Sequence, residues 1–454
     1  MSLSDTLYQI ALVVGVALLL LGQFRYAGRH YPELQALLRL QACFWGLAYV
    51  ARPLYLVVDH PKANTPLGDP RLTFDTYGQH LTEVLEVSLL GQLTFLGAIL
   101  AISFLVRHRQ CMRSEGGVAR EASILLPVGI TFFAIGWVGR LGWIAGLESI
   151  ASALLPFGTV GGCLAILMIK PGARSALPLA VCAVLCSEAV WAVIFASKAA
   201  IISVVTALVF RWLREPKSAQ IGWRLSAAGL AMIAAFMVLQ PLKGIDTAAE
   251  QSSRANSMND IVDAQFVAVL ERFDGISAIT DAVEYPHQLW LAPAEFAQRA
   301  VVGMVPKGPL LRIDSTLGQR WTREVKAYTF PDQYMNVSLA AGPTAEGYVL
   351  AGPAGVALEN TVLAIATLFA AGMLRRGTPA AAVAASFLIF STILFEQGVL
   401  GLADGVAKIV QLSIAAAFVA TIARRLRGEA RTAADIDRRH SMMPQYAPRR
   451  RSKA

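Results

Sequence analysis

The chain has 454 residues, 55% hydrophobic and only 16% charged, with a mean hydropathy of +0.52. That balance excludes both an ordinary soluble domain and a disordered chain. The net charge of +9 would suit nucleic acid only if the cations shared one soluble face. Instead they stand in short segments between apolar runs (Arg25, Arg29, Arg107, Arg109, Lys170, Arg174, Arg211, Arg214, Arg375, Arg376) and in the tail after residue 423.

Apolar runs long enough to cross a hydrocarbon core of about 30 Å recur along the chain. In lipid the backbone must satisfy its own hydrogen bonds, so these runs are expected to be α-helices. The expected spans are 6–24, 36–57, 80–106, 122–140, 150–169, 176–196, 199–213, 222–240, 347–374, 379–396 and 405–423. With the N-terminus outside and the C-terminus cytoplasmic, every basic loop falls on the cytoplasmic side. The reading is therefore an all-α polytopic membrane protein of about eleven transmembrane helices, with one large external helical loop. Helices one to eight occupy 1–240, the loop 241–346, helices nine to eleven 347–423, and a basic tail, expected to be disordered, 424–454. The partner implied by composition is the lipid bilayer, and no nucleic acid is expected.

The first apolar run has no basic residue before it and Arg25 just after it, which argues against a cleaved signal peptide. The five cysteines lie in apolar runs or basic loops, and none falls in the long polar loop, so no disulfide framework is implied. Outer segment 58–79 is rich in proline and turn residues. The loop 241–345 carries nine Lys/Arg and twelve Asp/Glu. Within it, 299–326 holds six basic residues and two acids. Apolar residues at helical spacing in 260–283 predict a small helical domain on the membrane.

Several residues could carry chemistry. A cluster of cations on the outer face runs against the positive-inside bias, and guanidinium forks suit phosphate or pyrophosphate. The other reading is a solvated face paired with the loop's own carboxylates. Arg272 and Asp274 in "LERFDGISAI" stand two apart and do not share a helix face, so each can point at a separate group. Glu188 lies inside an apolar run, where ionisable groups line a cavity or pair off. Lys198 and Arg140 stand at outer helix ends, and Lys198 also has the option of snorkelling to the headgroups. His287 in "YPHQLW" is the loop's single histidine. No metal-ligand spacing, Walker loop or nucleophile elbow is present, so no metal or cofactor is expected. Residues 343–360, "PTAEGYVLAGPAGVALEN", return the chain from the loop to the bilayer, with Glu346 and Glu359 bracketing one proline and three glycines.

The chain resembles the Wzy-type bacterial polysaccharide repeat-unit polymerases. The segments that carry the resemblance are "ARPLYL" (51–56), "SKAAIISVVTALVFRWLR" (197–214), "ERFDGI" (271–276), "VPKGPLLRIDSTLGQRW" (305–321) and "PTAEGYVLAGPAGV" (343–356). It departs from the family pattern at Lys307 and Gly308, where an arginine often follows the proline. The resemblance implies a GT-C-like, metal-independent glycosyltransferase of the bacterial inner membrane. It would transfer a growing glycan from undecaprenyl pyrophosphate to an incoming lipid-linked repeat unit. A flippase and a chain-length regulator of the same pathway are the further partners it implies. In that scheme Glu346, Asp274 and His287 compete for the general base. Arg272, Arg299, Arg312, Arg320 and Arg323, with Lys198 and Arg254, would hold the pyrophosphate. The alternatives from the same sequence are an O-antigen-ligase-like transferase and a non-enzymatic flippase or transporter of lipid-linked oligosaccharide.

Overall fold

The structure is a computed structural model. It describes residues 3–59, 76–107, 118–169, 176–195, 199–214, 275–285, 293–304, 321–326 and 341–441. Every element among them is helical, with no strand. Six helices are long and apolar enough to cross a membrane by length and composition: Leu3–Ala27, Pro32–Val58, His80–Leu105, Ile124–Ile144, Pro343–Arg376 and Val399–Arg427. The protein is an all-α membrane protein. The expected span at 222–240 lies outside the described residues.

Helix α1 (Leu3–Ala27) is followed by a turn and α2 (Pro32–Gly46). A π-turn, Leu47–Ala51, then leads into α3 (Arg52–Asp59). Pro53 explains that turn: it has no N–H to give to residue 49, and one wider turn absorbs the missing bond without ending the helix. The motif 51–56 begins on it. Helices α4 (Thr76–Arg107), α5 (Val118–Ile144) and α6 (Glu148–Met168) follow.

Helices α5 and α6 form a tight hairpin. Its turn is capped by Gly146, with φ of 78°. The Leu147 amide reaches the Gly142 carbonyl at 2.8 Å, and the Gly146 amide reaches that of Trp143 at 3.1 Å. This pattern satisfies the last carbonyls of α5. Glycines 129, 136, 158 and 161 let the two backbones touch; a Cβ on Gly161 would lie 2.6 Å from the Gly129 oxygen. Small residues at such crossings replace the hydrophobic driving force that lipid does not supply. The pair α7 (Ala176–Phe195) and α8 (Ala199–Arg214) then packs on α6.

From the long loop come α9 (Gly275–Glu284), α10 (Pro293–Met304) and a π-turn at Thr322–Lys326. They are not a separate body. Ile276, Ile279, Ala282, Trp321 and Val325 belong to the same buried cluster as the spanning helices, and α10 packs along the last helix.

The C-terminal part is α11 (Pro343–Arg376), α12 (Pro379–Phe390), one turn α13 (Ile393–Glu396) and α14 (Val399–Ser441). Two of these are interrupted. Helix α11 breaks at Ala351 and Gly352, where Gly352 has φ of 60° and Pro353 starts the second arm. Between α12 and α14 the chain leaves helix at Ser391, takes a left-handed residue at Thr392 (φ 58°) and passes through extended Gln397 to Gly398. Helix α14 has 43 residues, about 65 Å at 1.5 Å per residue, so its charged end continues past any bilayer. The helix runs on through Arg424 to Ser441, into the segment read from the sequence as a disordered tail.

Candidate functional site

Glu346 and Glu359 are 13 residues apart. On a straight helix they would stand about 20 Å apart along its axis. The break at 351–352 folds the first arm of α11 onto the second, so that the backbones of Gly347 and Gly355 touch. Both carboxylates then reach one target, the N-terminus of α14. Glu359 Oε2 accepts the Val399 amide at 2.6 Å, and Glu346 Oε1 accepts the Leu400 amide at 2.6 Å. These amides have no partner within their own helix, and negative charge is favoured at the positive end of a helix. The two carboxyl groups are within hydrogen-bond reach of each other. Gly398 leaves room for them: a Cβ there would lie 2.7 Å from Glu359 Oε2 and 2.8 Å from Glu346 Oε1.

The interruption between α12 and α14 is satisfied by side chains from α2. Gln41 donates to the Leu394 carbonyl at 2.9 Å and to the Thr367 hydroxyl at 3.0 Å. The Trp45 indole donates to the Phe395 carbonyl at 3.1 Å. Non-helical backbone at membrane depth needs such partners, because lipid offers none. Asn360 ties the arms of α11 together, donating to Val356 at 2.9 Å and to Thr344 at 3.4 Å.

Loop and bilayer helices meet beside the first arm of α11. The Tyr49 ring from the π-turn lies under Gly275, the first residue of α9, and its hydroxyl shares a hydrogen bond with Thr344. Only glycine fits over that ring. His80 Nδ1 on α4 lies 2.5 Å from Glu284 Oε1 at the end of α9. On the same end of α4, Glu83 accepts from Tyr348 at 2.7 Å and Glu86 from Tyr8 at 2.8 Å. The rim therefore carries carboxylates and tyrosine hydroxyls side by side.

A second polar centre joins α5 and α7. Arg140 Nη2 lies 2.5 Å from Glu188 Oε1, and Nη1 donates to Ser187 at 2.8 Å. The guanidinium carbon lies 5.4 Å from the Trp137 ring centre and 5.2 Å from that of Trp191. Arg140 and Glu188 are almost wholly buried. Spacing alone left these two residues as separate observations; they answer each other.

Of the residues named from the sequence, Glu346 is placed at the α11–α14 junction. It caps α14 rather than its own helix. Arg323 is exposed on the π-turn that Trp321 and Val325 anchor. Arg299 lies on α10, and its side chain is outside the described residues. Asp274, His287, Arg254, Arg272, Arg312, Arg320 and Lys198 also lie outside them. Among the described residues no group of His, Cys, Asp or Glu could hold a metal ion. Glu359, Gln41, Trp45 and Gly398 were missed as site residues. The one local signal was the Gly-Pro pair at 352–353, which marks a break without saying what the break brings together.

Fold and site together define an all-α membrane protein with two interrupted helices, a carboxylate-capped junction and a loop docked over it. No protein-family model, curated protein or solved structure matches the chain.

Proposed function

We propose that the protein is a metal-independent glycosyltransferase of the Wzy type, with the GT-C-like plan and eleven helices that this family implies. It polymerises repeat units linked to undecaprenyl pyrophosphate at the outer face of a bacterial inner membrane. The observation that carries the reading is the docking of α9 onto α4 and onto Tyr49, whose hydroxyl meets Thr344, two residues before Glu346 on the first arm of α11. Donor and acceptor in such a reaction are both lipid-tethered, so their sugars must meet at a bilayer rim. A polar loop packed into the same core as the spanning helices suits that demand.

In this mechanism the leaving group is a lipid pyrophosphate, whose charge grows as the glycosidic bond breaks. Fixed cations stabilise that growth. Arg272, Arg299, Arg312, Arg320 and Arg323, with Lys198 and Arg254, supply them. The acceptor hydroxyl is deprotonated by Asp274, His287 or Glu346. Of these, Glu346 already has one oxygen bound to the Leu400 amide, so its second oxygen would do the work.

One observation favours a second reading, a transporter of lipid-linked oligosaccharide. Interrupted helices facing polar side chains are a device of secondary transporters, and α11 and the α12–α14 segment are both interrupted.

The test uses the full-length protein in nanodiscs with undecaprenyl-pyrophosphate repeat units from the source organism. A ladder in repeat-unit steps, with undecaprenyl pyrophosphate released and no effect of chelator, is the expected result. Transfer only to a different added acceptor makes it a ligase. Movement of the substrate across vesicle membranes without any transfer makes it the transporter. Replacing Arg323 by Ala lowers the rate by about 10²–10³ if it stabilises the leaving group as an oxyanion donor does.

A further inference from the structure

The end of the bundle away from the loop helices carries a second arrangement that the proposed reaction does not use. Arg25 and Arg375 stand in the last turns of α1 and α11 and share that end, since Arg375 stacks on Tyr31 in the α1–α2 turn. There the α1–α2 turn, residues 28–31, lies between two guanidinium groups. The Arg39 guanidinium stands 5.1 Å over the Phe24 ring and reaches Gly28, where a Cβ would lie 3.4 Å from its Nη2. The Arg375 guanidinium stands 4.8 Å over the Tyr31 ring. Arg25, Arg29 and Arg376 are exposed around them.

No carboxylate among the described residues pairs with any of these five arginines. Glu33, the acid on the first turn of α2, is bound to Arg214 at 3.1 Å. Gln35, with its amide oxygen turned to Arg39, accepts from that guanidinium at 2.6 and 3.1 Å, and the Arg39 Nε–H finds no acceptor. Burial pushes the Tyr31 phenol up to about 12, so it stays neutral and adds no repulsion toward an anion. On α1, one and two turns nearer the bilayer centre, Leu21 and Leu18 are exposed.

Guanidinium groups held by ring stacking present their remaining N–H donors in a fixed direction, and such forks match phosphate oxygens. Cations uncompensated by protein carboxylates at a bilayer edge attract anionic lipid. The exposed leucines beside them supply the surface for acyl chains, which a free phosphate would not need. We infer that Arg39, Arg375 and the α1–α2 turn form a binding site for the phosphodiester headgroup of an anionic phospholipid, with Arg25, Arg29 and Arg376 around it.

The experiment is native mass spectrometry of the intact protein released from nanodiscs of phosphatidylglycerol and phosphatidylcholine in equal parts. Wild type is expected to retain phosphatidylglycerol in preference to phosphatidylcholine. The Arg39→Gln/Arg375→Gln variant is expected to bind it about thirtyfold more weakly, from two basic contacts near a charged membrane surface. A control variant, Arg424→Gln/Arg425→Gln on α14, removes the same charge elsewhere and is expected to keep the lipid. Equal retention of the two lipids by wild type overturns the inference, as does equal loss in the control. Displacement of phosphatidylglycerol by inorganic phosphate shows a free-anion site instead and also overturns it. If the Arg39 variant does not fold, Arg29→Gln/Arg375→Gln, both exposed, takes its place with the same expectation.

Discussion

Glu346 accepts the Leu400 amide across 54 residues of sequence, at 2.6 Å, in a site where the carboxylate is nearly buried. One arm of a broken helix thus holds the start of another. Beside it Glu359 makes the matching bond to Val399. The pair fixes where α14 begins, and with it the position of α10, which packs along α14.

Replacing Glu346 by Ala removes an acceptor and leaves a buried amide unpaired, a loss of about 1–3 kcal/mol. Thermal unfolding in detergent, followed by size-exclusion chromatography, measures it. Glu346→Gln keeps an oxygen for Leu400 and is expected to retain most of the stability. Transfer activity separates the two roles of this residue. A Gln variant that is stable but at least about a hundredfold slower would make Glu346 the base. A Gln variant that is stable and fully active leaves it as a cap.

Gly398→Ala introduces a methyl group within 2.8 Å of both glutamates. The cap has to move, and overpacking of this kind costs about 1–3 kcal/mol. The thermal midpoint is expected to fall as it does in Glu346→Ala. Combining the two substitutions should cost less than their sum, because they act on one contact.

Gln41→Leu leaves the Leu394 carbonyl without its donor in a region where no water or lipid replaces it. The expected loss is about 1–3 kcal/mol. Trp45→Phe, which removes the bond to Phe395 and keeps most of the ring volume, is expected to fall in the same range. Hydrogen exchange at 391–398 should rise in both variants and stay unchanged in α5 and α6. Unchanged exchange at 391–398 would show that these donors do not hold the break.

Breaking the Arg140–Glu188 pair from one side strands a buried charge, which costs about 3–5 kcal/mol. Arg140→Gln and Glu188→Gln are each expected to lower the thermal midpoint strongly. The double variant should recover much of the loss, since neither charge remains. If the two single losses simply add, the pair is not coupled and its structural role fails.

The Gly275 contact shows how little of this could be read locally. In the sequence it is a glycine between "ERFD" and "ISAI", a turn residue by any rule. In the fold it is the place where the loop rests on the Tyr49 ring, more than two hundred residues away. The expected spans 176–196 and 199–213 appear as helices α7 and α8, because the two apolar runs carry their own helical signal. The expected single span 379–396 appears interrupted, because Thr392 in a left-handed conformation and the bonds from Gln41 and Trp45 are tertiary features.

Apolar runs, basic connecting segments and the Gly-Pro pair at 352–353 are properties of neighbouring residues. They determine that the chain is helical and that it belongs in a bilayer, because the bilayer acts on each stretch of about twenty residues by itself; the Gly-Pro pair stands inside 347–374, which reads as one span, and the structure shows the break there. The partners of the buried charges are a different kind of fact. Glu346 meets Glu359 and Leu400, and Arg140 meets Glu188, only after the helices have packed. An ionisable residue inside an apolar run announces that it must be satisfied. Which group satisfies it depends on helix crossings and on a fold-back at one glycine, and only the tertiary structure decides those.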